Sequence, residues 1–345
     1  MKILIGMSGG VDSTYAAFRL KEQGHTVEGA VLIMHEYTDL AAARAAAESV
    51  GIPLTVIDAR EHFKKCVIPD FISEYARART PNPCIVCNSD VKFRLLCDHA
   101  VNNGFDAIAT GHYANIINVD SEQGRRYALK RADDSKKDQT YMLWRLPQDV
   151  LSMLMLPLGD MTKEELRANA RAHGLSSADA PDSQEICFIP DGDYAGYIEQ
   201  RIGVSKSGDF VDEAGRVLGK HNGIINYTVG QRKGLGIALG ARAFVKRIAP
   251  ESNQVVISLD PPMSDTVSVC GMVFSGMHEP CKGEKKQLSV KLRYQASPID
   301  CTAEFLGDGR AKLSLFEPAR SLTPGQSAVL YDGDVVVAGG FIDGE

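Results

Sequence analysis

One stretch near the start of the chain decides the fold, residues 3–13, Ile3-Leu4-Ile5-Gly6-Met7-Ser8-Gly9-Gly10-Val11-Asp12-Ser13. An apolar run ends there in a loop of small residues, and a helical pattern over residues 14–23 follows at once. Backbone N–H groups of such a loop, together with the positive end of the helix dipole, bind a phosphoryl group. Glycine lets the backbone approach the ligand closely. The sequence therefore predicts a strand, a phosphate cradle and a helix N-terminus.

The common phosphate-binding motifs do not fit this loop. It has neither the Gly-Lys-Ser/Thr ending of a Walker loop nor the Gly-x-Gly-x-x-Gly dinucleotide fingerprint. An ordinary glycine turn between a strand and a helix is the simpler alternative. Residues 8–13, Ser-Gly-Gly-Val-Asp-Ser, resemble the pyrophosphate-binding loop of the ATP pyrophosphatase superfamily. That resemblance implies cleavage of ATP between its α and β phosphates and adenylation of an oxygen atom of the substrate.

Composition indicates an ordinary globular protein. The chain has 345 residues, 44% of them hydrophobic and 24% charged, which leaves room for two or three domains with their own cores. It has no run of about 18 apolar residues and no secretion signal at its start, so we expect a cytoplasmic protein without a membrane partner. The eight cysteines are then expected as reduced thiols rather than as disulfides.

The net charge of −6 gives no support for a nucleic-acid partner. Residues 125–145, however, combine seven basic side chains with three acidic ones, which predicts a local basic patch. The solvated face of a hairpin explains the same charges equally well. The basic residues are Arg125, Arg126, Lys130, Arg131, Lys136, Lys137 and Arg145.

Strand-like apolar runs alternate with helical patterns through the first half of the chain. This order predicts a parallel sheet covered by helices on both faces. Ligands of such sheets bind beyond the carboxyl ends of the strands, so the loop 8–13 and the segment Gly111-His112-Tyr113 are expected to share one pocket. The predicted strands are 2–7, 27–34, 54–58 and 107–110, and the predicted helices begin at 12 or span 40–50, 61–79 and 90–102.

The second half of the sequence has a different pattern of residues. Helical patterns at 163–173 and 194–202 come first, and beyond Ser205 short β-rich runs are separated by glycines. From Pro262 these runs alternate polar and apolar residues with period two. A small barrel or a sandwich is the structure that such runs predict.

Two cysteines lie three residues apart after a pair of prolines, in Pro81-Asn82-Pro83-Cys84-Ile85-Val86-Cys87-Asn88. They precede a predicted helix, whose N-terminus would lower a thiol pKa, so at least one should ionise readily. One alternative is that the two thiols are half of a zinc site, but no second cysteine pair follows at the usual spacing. The other is that they are inert and buried, but the prolines predict a loop at this position. Five other cysteines are predicted as core residues, namely Cys66, Cys97, Cys270, Cys281 and Cys301.

Seven segments, in order and over essentially the whole chain, resemble the tRNA-specific 2-thiouridylase family. They are SGGVDS (8–13), TPNPCIVCN (80–88), ATGHYA (109–114), KKDQTYML (136–143), LPLGDMTKEELR (156–167), DSQEICFI (182–189) and NYTVGQRKGLGI (226–237). The family uses ATP to transfer sulfur to carbon 2 of the wobble uridine of certain tRNAs. The resemblance implies an α/β fold with a parallel-sheet ATP-pyrophosphatase domain (1–195), a small central adaptor domain (196–261) and a C-terminal β-barrel (262–345).

The resemblance also implies roles for individual residues. Cys87 matches the nucleophile, and Cys187 matches the cysteine that carries a persulfide, loaded by a cysteine desulfurase or a relay protein. Attack of Cys87 on that persulfide would release the sulfur and leave a disulfide that a reductant must open. Asp12 is expected near Mg²⁺. The implied ATP contacts are Gly6, Met7, Ser8, Gly9, Gly10, Val11, Asp12, Ser13, Leu32 and Gly111.

Two positions depart from the family pattern. Many members have aspartate where this chain has Cys84, and three thiols (Cys84, Cys87 and Cys187) could hold three irons of a [4Fe–4S] cluster whose fourth iron binds sulfide. We favour the cluster slightly over the persulfide relay because three soft ligands are present. The linker 35–39 is also shorter than the acidic, cysteine-containing stretch of the family, which leaves the adenine contact open between Leu32 and Met34.

The implied RNA partner is the anticodon loop with its wobble uridine. Basic residues meet phosphates, aromatic residues stack on bases, and a base to be modified is turned out of the stack. The simpler alternatives are that Lys137 and Arg293 are surface charges, Tyr294 is an ordinary barrel residue and His112 is a histidine at the end of a strand with its hydrogen bonds satisfied. Two other functions compete, namely amidation of an adenylated small molecule and RNA binding without catalysis. The implied tRNA contacts are Asn82, Pro83, Cys84, His112, Lys137, Asp138, Gln139, Arg293, Tyr294 and Gln326.

Overall fold

The computed structural model describes residues 1–121, 124–179, 186–237 and 239–344 of the chain. Its first part alternates strands with helices, as the sequence predicts. The strands are β1 (Lys2–Gly6), β2 (Thr26–Ile33), β3 (Leu54–Asp58), β4 (Ala107–Ala109), β5 (Asn115–Ser121), β6 (Gly124–Lys130) and β7 (Leu154–Met155). The helices are α1 (Val11–Glu22), α2 (Leu40–Val50), α3 (Arg60–Ala76), α4 (Pro83–Val86), α5 (Phe93–Asn102), α6 (Thr140–Leu143), α7 (Gln148–Met153) and α8 (Lys163–Ala172).

Five of these strands form one parallel sheet in the order β3–β2–β1–β4–β7. In the central strand, Ile3, Leu4 and Ile5 are completely buried. Leu4 packs into one apolar cluster, whereas Ile3 and Ile5 pack into another, so the strand is covered on both faces. This confirms the predicted parallel sheet and places the ends of β1, β2 and β4 along one edge.

The segment that carries the paired cysteines is helical, which corrects the predicted loop. The Asn82 side chain caps α4 by accepting a hydrogen bond from the Cys84 N–H at 3.2 Å. Pro83 is tolerated because the first residue of a helix needs no N–H donor. After α4 the chain forms a π-helical segment over Cys87–Lys92, before α5 begins. Single π-helical turns inside helices are frequent at functional sites.

The rest of the chain forms two β structures. Helix α9 (Tyr194–Ile202) leads into a four-stranded sheet in the order β10–β11–β8–β9, and a closed barrel follows in the order β12–β15–β14–β13–β16–β17, with β12 paired to β17. The barrel is thus confirmed over the sandwich. These strands are β8 (Gly208–Val211), β9 (Val217–His221), β10 (Phe244–Ala249), β11 (Gln254–Ser258), β12 (Met263–Val273), β13 (Lys285–Lys291), β14 (Ile299–Gly307), β15 (Arg310–Arg320), β16 (Ser327–Asp332) and β17 (Val335–Ile342).

The barrel packs tightly against the α/β part. The Trp144 indole N–H donates to Ser327 Oγ at 2.9 Å, and a Cβ on Gly339 would lie 2.5 Å from the Trp144 ring. The hairpin β5–β6 joins the barrel sheet where Lys130 pairs with Val335. None of the helices in the described ranges is both long enough and apolar enough to cross a bilayer.

Some side chains of the predicted basic patch make contacts within the protein. The Arg126 guanidinium donates to Phe274 O at 2.7 Å, and the Arg131 guanidinium lies 4.2 Å from the centre of the Tyr331 ring. Arg145 forms an ion pair with Asp90 at 3.1 Å. Three basic residues of the segment are exposed, namely Arg125, Lys130 and Lys136.

Candidate active site

The loop after β1 has a backbone that close packing fixes. Gly9 has a φ of +83°, and a Cβ at this position would lie 2.7 Å from Ala42 Cβ at the start of α2. The Ser13 hydroxyl donates to Gly10 O at 3.0 Å and accepts from the Ser8 N–H at 3.2 Å. The loop is therefore closed on itself at the N-terminus of α1, where the first turn of a helix has N–H groups without helical partners that can bind an anion. The side chains of Met7 and Val11 are buried in the core.

Gly111 packs directly against the same helix N-terminus. A Cβ on Gly111 would lie 2.6 Å from the Asp12 carbonyl carbon and 2.7 Å from Ser13 N. The segment after β4 thus meets the loop after β1, as the order of the strands predicts. Only glycine permits this approach, because any side chain would displace the start of α1.

The Asp12 carboxylate has partners that the sequence reasoning did not identify. Its oxygens accept from Lys163 Nζ at 2.6 and 2.8 Å and from the Tyr113 hydroxyl at 2.9 Å. Lys163 is only 8% exposed, so its ammonium group is held in place. The capping box of Thr162 and Glu165 fixes the start of α8. This capping box is visible in the sequence, whereas the packing of α8 beside α1 is not. Mg²⁺ at Asp12 would have to compete with Lys163.

Cys87 lies at the same edge of the sheet. Its thiol is 3.6 Å from the sulfur of Met34, the residue that follows β2. Cys87 is buried, and this burial raises the pKa of its thiol to about 12. Ready ionisation is therefore not found at Cys87, because loss of hydration outweighs the favourable charge of nearby Lys92. Leu32 is buried within β2.

Cys84 and Cys187 are exposed, and a negative charge on either would raise the pKa of Cys87 further. Loss of hydration raises the pKa of each of these two thiols, so the predicted ready ionisation is wrong for Cys84 as well as for Cys87. Phe188 anchors Cys187, because its ring packs 5.3 Å from the Phe63 ring. Residues 182–185 of the motif that contains Cys187 lie outside the described residues. Among the described residues, no group of three or more Cys, His, Asp or Glu side chains could hold a metal ion, so the predicted cluster ligands do not fit as placed.

The chain just before Asn82 is held by both β structures. The Thr80 N–H donates to Pro324 O at 2.8 Å, and Gln326 Nε2 donates to Thr80 O at 2.8 Å. The Thr80 hydroxyl lies 3.0 Å from the Thr228 hydroxyl. Thr80 is thus hydrogen-bonded both to the barrel and to the segment between β9 and β10. Gln326 has a structural contact of its own in this arrangement.

His112 follows Gly111 and has a fixed ring. Its Nδ1 lies 2.9 Å from the Thr110 hydroxyl, and its ring centroid is 5.6 Å from that of Phe93. Burial, with a smaller contribution from Lys92, lowers the pKa of His112 to about 3. The imidazole is therefore neutral at physiological pH, and it can donate or accept a hydrogen bond but carries no charge.

The remaining predicted RNA contacts divide between two places. Asp138 is buried and accepts from the Thr140 hydroxyl at 2.8 Å, while Gln139 exchanges hydrogen bonds with the backbone of Tyr113 at 2.8 and 2.9 Å. Their neighbour Lys137 is half-buried. Arg293 and Tyr294 follow β13 on the barrel, where Arg293 Nη2 donates to Ser321 O at 2.5 Å. The Tyr294 ring centroid lies 6.1 Å from that of Tyr141.

The predictions for the other cysteines hold in part. Cys97 and Cys301 are buried as predicted, and Cys66 and Cys270 are half-buried. Cys281 is exposed, so its assignment to the core is wrong. It begins a turn in which its own N–H donates to Glu284 Oε2 at 3.0 Å. A turn residue ahead of a strand has no sheet face on which to be buried.

The fold and site define a phosphate-binding α/β protein with a cysteine pair at the same sheet edge and two β domains behind it. Three family models match in succession, described as tRNA methyl transferase HUP domain (1–191), tRNA methyl transferase PRC-barrel domain (195–259) and Aminomethyltransferase beta-barrel domain (266–342). The chain is also similar to curated proteins along its whole length.

A tRNA-specific 2-thiouridylase MnmA of Acetivibrio thermocellus is 44% identical over 358 residues, which cover 99% of both chains. The protein of that name from Carboxydothermus hydrogenoformans is 44% identical over 359 residues, covering 99% of this chain and 97% of its own. The one from Clostridium acetobutylicum is 42% identical over 360 residues and 99% of both. The chain belongs to the tRNA-specific 2-thiouridylase family.

Proposed function

We propose that this protein catalyses the ATP-dependent 2-thiolation of the wobble uridine of tRNA. One observation carries the proposal: the phosphate loop follows β1, and the residue whose sulfur contacts the Cys87 thiol at 3.6 Å follows β2, the neighbouring parallel strand. An activating nucleotide and a sulfur nucleophile would therefore meet at one sheet edge. Methyl transfer, which two of the family-model descriptions name, has no step that uses this pairing.

ATP would lie with its phosphates on the amide groups of residues 8–13 and Gly111 beside them. The C2 carbonyl of uracil is a weak electrophile with no leaving group. Attack of its oxygen on the α-phosphorus of ATP would form a C–O–AMP bond and release pyrophosphate. The oxygen then leaves as part of AMP when sulfur attacks C2. In this arrangement Asp12 and Lys163 lie beside the loop as a charge pair, and Mg²⁺ at Asp12 belongs to the proposal.

Sulfur would come from a persulfide on Cys187, loaded by a cysteine desulfurase or a relay protein. The Cys87 thiolate attacks Cys187 Sγ and breaks the S–S bond, so that the terminal sulfur leaves as hydrosulfide and attacks the adenylated C2. A Cys87–Cys187 disulfide remains, and an external dithiol reductant supplies the two electrons that open it. Because burial raises the pKa of Cys87 to about 12, loss of its proton is part of this step.

The cluster hypothesis is the competing route for the same residues. A [4Fe–4S] centre would supply an iron that binds sulfide. We derive no step through it, because the described thiols do not form a set that could hold a metal ion. Replacing Cys84 separates the two routes. Cys84→Ala should retain thiolation under the relay, whereas an Fe–S route predicts that anaerobically reconstituted iron and activity are lost together.

The three domains would be bounded after residues 195 and 261. The RNA would bind the surface where these three domains meet. His112 and residues 82–84 would face the turned-out base, and Lys137, Arg293 and Tyr294 would contact the RNA around it. Asp138, Gln139 and Gln326 would act through the segments that they hold, since their side chains already bond within the protein. We place the reaction in the cytoplasm.

The test is direct thiolation of an in-vitro transcribed tRNA whose wobble base is uridine. The protein is supplied with ATP, Mg²⁺, a cysteine desulfurase, cysteine and a dithiol reductant, and the RNA is digested and analysed by mass spectrometry. We expect 2-thiouridine at the wobble position and one AMP for each sulfur inserted. The same tRNA with a wobble cytidine is the control. AMP formation on a small acceptor without RNA would support amidation instead, and RNA binding without AMP formation would support the non-catalytic module.

A further inference from the structure

A cavity lies where the central β domain meets the barrel, and arginines dominate its charge. Its volume is about 470 Å³, and its lining includes Arg232 before β10, Arg293 after β13 and Arg320 at the end of β15. Among the described residues, none of these three arginines forms an ion pair with an aspartate or glutamate. Three uncompensated cations thus converge on one concave surface.

The floor of this cavity is built by close backbone contact between the two domains. Gly230 has a φ of +88°, and a Cβ at that position would lie 2.4 Å from Ser321 Cβ. Ser321 itself has a φ of +56°. Positive φ at a residue other than glycine is uncommon and costs free energy. The junction is therefore a specific contact rather than a loose gap between domains.

Two of the three guanidinium groups are held in place. Arg293 Nη2 donates to Ser321 O at 2.5 Å and to Thr323 Oγ1 at 2.7 Å. The Arg320 guanidinium lies 5.2 Å from the centre of the Phe244 ring. Positioned donors lose less conformational freedom on binding than free side chains do. The planar fork of a guanidinium matches the oxygens of a phosphate.

The cavity is close enough to the thiols for one RNA molecule to reach both. Gly230 is two residues from Thr228, whose hydroxyl contacts Thr80, and Thr80 is four residues from Cys84. At the extended reach of about 3.5 Å per residue, and with the two threonine side chains included, this path limits the separation to about 30 Å. A polynucleotide presents phosphates at regular intervals, so one RNA molecule can place a phosphate in this cavity while one of its bases lies at the thiols.

We propose that this cavity is a phosphate-binding subsite in which Arg232 and Arg320, together with Arg293, hold the sugar–phosphate backbone of the RNA substrate away from the modified base. The identity of the RNA rests on the proposed function. The subsite contributes affinity that is independent of sequence and fixes the register of the RNA relative to the thiols.

The experiment compares the salt dependence of tRNA binding in the wild type, in the double variant Arg232→Gln/Arg320→Gln and in Arg310→Gln. Arg310 is an exposed arginine at the start of β15, outside the cavity. Affinity for the transcribed tRNA is measured from about 50 to 200 mM salt, and each lost phosphate contact lowers the slope of log K against log salt by about 0.7 to 0.9. We expect the double variant to lose about 1.5 units of slope and Arg310→Gln to lose none.

Melting temperatures confirm that the variants are folded, and the single variant Arg232→Gln, which loses no ring contact, replaces the double variant if that one unfolds. A wild type that binds tRNA with the same slope as the variants would overturn the subsite alone. A wild type that binds no tRNA would overturn the proposed function and the RNA occupant with it. Inorganic phosphate is titrated in parallel. If phosphate stabilises only the wild type while the tRNA slopes agree, the cavity takes a free anion and the RNA occupant is wrong.

Discussion

The phosphate loop and the thiol segment lie at one sheet edge but are constructed in opposite ways. The loop is closed by hydrogen bonds among residues at most five positions apart, such as Ser8 to Ser13. The thiol segment is fixed by partners far along the chain. Thr80 bonds to Thr228, Pro324 and Gln326. A local motif carries its own geometry, whereas the position of Cys84 and Cys87 depends on how the β domains dock.

This difference has a functional consequence. ATP binding should tolerate changes at the domain junctions, and sulfur transfer should not. The two halves of the reaction can therefore be separated by mutation. Four experiments test that separation, three of them by substitution and one by a change of pH.

The largest effect is expected for Cys87→Ala. Removing the nucleophile should lower sulfur transfer by about 10³-fold or more, while the first turnover of AMP formation on tRNA stays within about threefold because the loop is untouched. Single-turnover assays with labelled ATP measure both steps. Cys97→Ala is the matched control, because Cys97 is as buried as Cys87, at 7% exposure, but lies on α5 outside the site. Loss of AMP formation in Cys87→Ala would show that the two steps are not separable.

The reverse separation is expected for Gly111→Ala. The added Cβ would lie 2.6 Å from the Asp12 carbonyl carbon, and such overpacking costs about 1–3 kcal/mol. If the displaced helix start carries this cost, ATP affinity falls by about 10- to 100-fold, while tRNA affinity without ATP is unchanged. Equilibrium binding of each ligand tests this. Wild-type affinity for ATP would mean that the nucleotide does not use this helix terminus.

The same contrast explains which features could be predicted from the sequence. Helix α2 has the bounds that the sequence predicts, and the structure shows that its ends are fixed locally: the Asp39 side chain caps its first turn, and Gly51 ends it with a φ of +68°. The phosphate loop was predicted for the same reason. Lys163 was missed because its contact with Asp12 joins residues 151 positions apart.

The errors follow the same rule only in part. At least one of the thiols Cys84 and Cys87 was predicted to ionise readily because the helix start is visible in the sequence, whereas the loss of hydration that raises both pKa values depends on the folded chain. Cys281 was assigned to the core by its residue type, although it lies in a turn. The barrel was not separable from a sandwich until the pairing of β12 with β17 closed it. The burial of Cys87 and the closure of the barrel depend on contacts between distant parts of the chain, whereas the turn at Cys281 is local and was missed because the residue type was given too much weight.

An intermediate effect is expected from pH. Burial raises the pKa of Cys87 to about 12, so the thiolate fraction rises about tenfold for each pH unit below that value. Sulfur transfer from a preloaded persulfide should rise with the same slope between about pH 7 and 9. Adenylation should gain nothing from His112, whose pKa of about 3 lies far below this range. A plateau in sulfur transfer below about pH 8 would mean that bound RNA lowers the pKa of the thiol.

The smallest effect, and the most specific one, is expected at the contact between Thr80 and Thr228. Thr80→Val and Thr228→Val each remove the same hydrogen bond, which is worth about 1 kcal/mol. If that bond holds the thiol segment in its productive position, each variant should lower sulfur transfer by about fivefold and leave ATP affinity unchanged. The double variant should show about the same fivefold loss, because only one contact exists to be lost. Multiplication of the two losses would show that the residues act separately, and an equal loss of ATP affinity would show that the loop also depends on the domain junction.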